Sequence, residues 1–97
     1  MEKSALIDRL RALEPELRRN GVERLYLFGS ASRGEAGAGS DVDLFCDLDP
    51  HSKLGFAFFS LADRLAEALG KPVDLTTRDG LHPLIRADVT REAIQVF

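Results

Sequence analysis

The chain has 97 residues, 44% of them hydrophobic, and a net charge of −3 at pH 7. That length suits one domain spanning residues 1–97, and the acidic balance excludes the broad positive field that non-specific nucleic-acid binding uses, so no direct nucleic-acid contact is expected. No apolar run is long enough to span a bilayer and Met1 is followed by Glu2 and Lys3 rather than by a signal-like region, so no membrane contact and a cytoplasmic setting are expected.

In chain order, Leu6, Ile7, Leu10, Leu13 and Leu17 recur at helical spacing, with Ser4 as the expected N-cap and Gly21 as a stop. Pro15 removes an amide donor from mid-pattern, which predicts a break near Leu13 and a second short helix opened by the proline. "RLYLFG" is apolar on both faces and predicts a strand ending at Gly29. "DVDLFCDL" alternates Val42, Leu44 and Cys46 against Asp41, Asp43, Phe45 and Asp47, the period of a half-buried strand. Asp49, Pro50 and Ser52 mark a turn. From Lys53 to Leu69, the residues Leu54, Phe58, Leu61, Ala62, Leu65 and Leu69 form one helical stripe closed by Gly70. "VDLTT" over Val73–Thr77 predicts a third strand, "DGLHP" a turn, Leu84 to about Glu92 a helix that Pro83 could open, and "AIQVF" a final strand. The fold class expected from this order is α/β, of the α+β kind: a mixed sheet of three to four strands flanked by helices.

Asp41 and Asp43 lie two apart on a strand, so their side chains leave the same face and repel unless a cation lies between them. Short, hard oxygen ligands suit magnesium. Asp74 stands between Val73 and Leu75, where the pattern alone would put a neutral residue, and if its strand neighbours the second one, three carboxylates converge. Three aspartates and two magnesium ions leave a net positive site that favours a triphosphate. Ahead of these residues, Gly29 allows close backbone approach to a bulky anion, Ser30 offers a hydroxyl and an amide, and Arg33 adds a charge-assisted contact for phosphates. Alone, a glycine-serine turn is usually only a turn and a strand DxD usually a solvated face. Their fixed spacing with strands at both ends is far more specific.

Gly29-Ser30, ten intervening residues, Asp41-Val42-Asp43 and the later Asp74 resemble the signature of the DNA polymerase beta-type nucleotidyltransferase superfamily. "FGSxxRGEA…SDVDL" in so short a chain is similar to its minimal nucleotidyltransferases, the MNT domains, and the resemblance runs from the first helix to "REAIQVF". It implies two Mg2+ ions held by Asp41, Asp43 and Asp74, triphosphate contacts from Gly29 and Ser30, and transfer of a nucleoside monophosphate with release of pyrophosphate. It also implies a partner, since family members of this size are commonly antitoxins paired with a HEPN-domain ribonuclease toxin, and some AMPylate a tyrosine on it. Ser32 departs from the alanine common at its position. The leading expectation is transfer of AMP from ATP to a protein acceptor. The alternatives are a nucleotide-binding antitoxin that acts by occlusion and an aminoglycoside-type transferase, which generally needs a further domain for its acceptor.

The remaining polar and aromatic residues carry blander expectations. His51 and His82 sit in turns without a second ligand at metal spacing. Cys46 suits a small core residue. Arg9, Arg11, Arg18 and Arg19 suit a solvated helix face. Phe56 and Phe59, near the start of the long helix and away from its apolar stripe, are either scattered surface aromatics or an anchor for a partner.

Overall fold

The protein is described by a computed structural model covering residues 2–34, 41–51 and 57–97. Two short helices, α1 (Lys3–Ala12) and α2 (Glu14–Arg19), lead into strand β1 (Val22–Phe28) and a 3-10 turn (Gly29–Arg33). Strand β2 (Val42–Leu48), helix α3 (Ala57–Leu69), strand β3 (Val73–Thr77), helix α4 (Pro83–Glu92) and strand β4 (Ile94–Gln95) follow. The proline divides the first two helices as expected, standing in the first turn of α2. Ser4 is not the cap of α1: that position falls to Glu2, and Ser4 lies inside the helix with its hydroxyl donating to Glu2 Oε1 at 3.1 Å. The cap of α4 is His82, whose Nδ1 accepts from the Leu84 amide at 3.1 Å. The expected helix start at Lys53, together with Phe56 and the side chain of Phe59, lies outside the described residues.

The strands lie in the order β3-β2-β1-β4, with β3 parallel to β2 and β1 antiparallel to both β2 and β4. This makes β2, β3 and β4 mutually parallel. The crossover through α3 steps outward from β2 to β3, and the one through α4 returns across the sheet to β4. Right-handed crossovers that travel in opposite directions put their helices on opposite faces. Accordingly, Leu61, Leu65 and Leu69 of α3 join Leu6, Leu10, Leu17, Leu25, Leu27, Val42, Leu44 and Cys46 in the main core, while α4 contributes no buried residue. Phe45 and Leu81 are buried outside that core.

The alternation expected of β2 holds with one exception, Phe45: Val42, Leu44 and Cys46 are buried and Asp43 and Asp47 are half-buried. Phe45, on the polar-patterned face, is 0% exposed, because Tyr26 stacks on it and the Arg78 guanidinium lies over both rings. The register of β1 on β2 is regular from Arg24↔Asp47 to Phe28↔Asp43 and shifts once, between Val22 and Arg24. The last strand extends beyond its two ladder residues, since Val96 N donates to Leu25 O at 2.8 Å and Leu25 N to Phe97 O at 3.2 Å.

Arg9, Arg11, Arg18 and Arg19 are all exposed, as expected of a solvated face, and the first three also make contacts within the chain. Arg11 Nε donates to Val96 O at 3.0 Å, Arg9 to Ala68 O at 3.2 Å, and Arg18 lies 4.9 Å over the Phe97 ring while donating to Glu23 O at 2.9 Å. They tie both helices to the C-terminal strand, to the end of α3 and to the start of β1.

Candidate nucleotidyl-transfer site

Strand pairing brings the three aspartates together. Asp43 is opposite Asp74 in the parallel β2–β3 register, so both side chains leave the same face, and Asp41 sits two residues before Asp43. The condition placed on Asp74, that its strand neighbour β2, is met. Asp43 is half-buried, whereas Asp41 and Asp74 are exposed. Burial, then the negative charges of Asp74 and Asp41, push the Asp43 carboxyl above the ordinary carboxylate range.

This donor set fits a hard cation in type and adjacency: a carboxylate raised by burial and by two neighbouring carboxylates is one that a divalent ion relieves. The fit lies in the donors and their neighbourhood rather than in a finished coordination shell. Among the described residues no group of three His, Cys, Asp or Glu side chains is arranged to hold an ion.

Gly29 has φ +72°, and a Cβ there would collide with Asp43 Oδ2 and lie 3.3 Å from its carboxyl carbon. The close approach expected of this glycine is thus made within the chain, to an aspartate of its own site. Any side chain at this position would displace the carboxylate besides straining the backbone. Ser30 and Arg33 lie in the same 3-10 turn, which ends at Gly34 in the left-handed region, φ +71°.

Ser32, noted only as a departure from alanine, pins this turn. Its 7% exposed side chain donates to Gly29 O at 2.7 Å. The pairing of Arg78 with Asp47 went unforeseen too: Nε–Oδ1 and Nη2–Oδ2 are both 2.9 Å. Hydrogen bonding from Arg78, opposed by burial and helped by the positive charges of Arg78 and Arg24, holds the Asp47 carboxyl below its usual range. The available signal was only that Asp47 shares the strand face of Asp43, with nothing to name a partner 31 residues away. Cys46 is 0% exposed, and burial followed by the charge of Asp47 pushes its thiol up to about 12, the mark of an inert core residue.

A cavity of about 300 Å³ lies behind the turn, lined by Glu2, Lys3, Leu6, Ala31, Gly34, Val42 and Lys71. None of the three aspartates lines it. We place the site on the carboxylates all the same, because their charge and register carry chemistry that the cavity lining lacks, and an open sheet edge suits a macromolecular acceptor better than an enclosed pocket.

Residues 10–96 match the family of the nucleotidyltransferase domain. The chain belongs to that family. Among similar proteins, protein adenylyltransferase MntA of Thermococcus cleftensis is 40% identical over 88 residues, covering 90% of this chain and 88% of the relative. The nucleotidyltransferase fold also recurs in solved structures. A candidate minimal nucleotidyltransferase is 36% identical with a TM-score of 0.82, over 97% of this chain and 95% of that one. A toxin-antitoxin structure with AMP-PNP is 29% identical with a TM-score of 0.70, over 92% and 72%. The complex of tri-AMPylated Shewanella oneidensis HEPN toxin with MNT antitoxin contains a chain 27% identical with a TM-score of 0.65, over 98% and 71%.

Proposed function

We propose that this nucleotidyltransferase moves AMP from ATP to a protein acceptor and is the antitoxin of a HEPN-domain toxin, acting in the cytoplasm as a single domain over residues 1–97. The observation that carries the reading is the register of Asp43 with Asp74, with Asp41 and Gly29 against the same carboxylate. The similarity to a named protein adenylyltransferase and to an MNT antitoxin bound to an AMPylated HEPN toxin supports the acceptor class.

In this reading Asp41, Asp43 and Asp74 would hold two Mg2+ ions, which would supply Lewis-acid charge at the nucleotidyl group being transferred. Gly29 and Ser30 cradle the triphosphate through backbone amides and the Ser30 hydroxyl, and Arg33 offsets phosphate charge. Asp74, on the edge strand, positions or deprotonates the acceptor hydroxyl, whose oxygen bonds to the α-phosphorus as its proton is lost. The bond from that phosphorus to the bridging oxygen breaks and pyrophosphate leaves. Placing the reactants in line supplies much of the rate, since the chemistry asks little else of the protein.

The test is a purified HEPN-domain partner incubated with a sub-stoichiometric amount of this chain, ATP and magnesium, followed by intact-mass measurement. The partner should gain one or more AMP units at many partners per chain, and Asp41→Ala with Asp43→Ala should abolish the gain. Neutralisation that is strictly stoichiometric, leaves no adduct and survives the double substitution would replace transfer by occlusion.

A further inference from the structure

The sheet face that carries Asp43 also carries a row of aromatic rings that phosphate binding and metal binding leave unused. Tyr26 lies flat on Phe45, with centroids 4.7 Å apart and planes 11° apart, and Phe28 leans on the same ring at 5.7 Å and 48°. One end of the row is closed by the Arg78 guanidinium, 5.0 Å from the Tyr26 ring and 5.2 Å from that of Phe45, and held by its two bonds to Asp47. The other end is Phe28.

Phe28 differs from the ring it leans on. Both rings lie outside the main core cluster, but Phe45 is fully buried whereas Phe28 is half-buried. It is followed directly by Gly29 and stands opposite Asp43 across the β1–β2 ladder. On its other side the chain enters β4 from Ala93. Ile94 packs against the core, so Ala93, a small residue, shares the face of Phe28. Across the sheet, Phe28, Asp43 and Asp74 occupy one row of three neighbouring strands, so Phe28 and Asp74 flank Asp43 on opposite sides. With the acceptor on the Asp74 side, the β1 side, where the phosphate loop begins, is left to the donor nucleotide.

We propose that Phe28 is the stacking platform for the donor's nucleobase and favours a purine over a pyrimidine by the larger ring surface that it covers. The inference rests on the nucleotidyl-transfer reading for the position of the phosphates. The aromatic row supplies the rest: a ring already held by Phe45 loses little freedom on binding, and every base has a π-face to stack.

The experiment measures magnesium-dependent binding of ATP, CTP and inorganic tripolyphosphate by calorimetry, for the full chain and for Phe28→Leu. The substitution should weaken ATP roughly ten-fold, in keeping with the worth of a base–aromatic stack, leave tripolyphosphate within about two-fold, and shrink the ATP-to-CTP ratio. A second variant gives a readout free of affinity and activity. The chain has no tryptophan, so Phe28→Trp introduces a single emitter, which ATP should quench and tripolyphosphate should not. The proposal is overturned if Phe28→Leu changes ATP and tripolyphosphate binding in equal proportion or neither of them, or if the tryptophan responds alike to both. Failure of the unsubstituted chain to bind either ligand would instead overturn the transfer reading, and this proposal with it.

Discussion

At the scale of single residues, the site is defined by charges placed against their own interest. Asp43 sits above the ordinary carboxylate range because of burial and the neighbouring Asp74 and Asp41. A folded-state pKa above the unfolded value means that the folded chain binds the proton more tightly, so this residue's share of stability declines as pH rises through that range and recovers in acid. Asp43→Asn should therefore leave the metal-free fold as stable as the parent or slightly more so at pH 7. The difference should vanish below about pH 4, where the parent carboxyl also becomes neutral in both states. Urea unfolding at both pH values in chelator checks this, and marked destabilisation at pH 7 would assign Asp43 a structural role. Asp47 has the opposite sign: its carboxyl is depressed by Arg78, so the pair's stabilisation is present above the unfolded pKa and is lost in acid. Two aspartates four residues apart on one strand face thus serve opposite ends, one paired within the protein and one held for a cation.

At the scale of elements, local pattern reached some features and not others. The alternation in β2, the stripe on α3 and the proline break were legible because each follows from neighbours within one or two turns of chain. Asp74 was legible only as an anomaly, since no single sequence states that β3 lies beside β2. The added contacts of Arg9, Arg11 and Arg18 were not legible because their partners, Ala68 O, Val96 O and the Phe97 ring, are backbone groups and a ring 59 or more residues away. Those contacts give the C-terminal strand its hold. Arg11→Ala removes one donor to Val96 O and should cost about 1 kcal/mol, lowering the melting temperature by roughly 4 to 8 °C for a domain of this size. Hydrogen exchange at the Val96 amide should accelerate at the same time. Unchanged exchange there would show that the β1 ladder alone secures the strand.

At the scale of the whole molecule, the two crossovers divide labour between the faces. The α3 face holds the apolar core, while the opposite face carries the aspartates and the aromatic row. Asp41 and Asp74 are exposed and Asp43 and Phe28 half-buried, so this side of the sheet is the less sealed one. A ligand bound there stabilises the native state by mass action, about 2.7 kcal/mol at a hundred times its Kd. Magnesium with ATP at that concentration should consequently raise the melting temperature by roughly 10 to 20 °C, and magnesium alone by less, because the triphosphate adds ligands that the protein does not supply. A thermal scan with each ligand alone and together checks this, and no shift with any nucleotide would remove the phosphate site. The family was legible because its signature lies in two short, closely spaced segments. The geometry that makes the signature work, with Gly29 against Asp43 and Asp43 beside Asp74, required the folded sheet.

The single irregularity in the β1–β2 ladder lies between Val22 and Arg24, at the far end from Phe28 and Asp43. An extra residue is accommodated there by a local kink, away from the aspartates. Between Leu25 and Phe28 the ladder has no such slack. One inserted or deleted residue there would turn Leu27 outward and Phe28 into the core, so that a chain copied with that error loses its fold together with its chemistry. A length error in this segment is self-eliminating: it cannot persist as a stable protein with a damaged site.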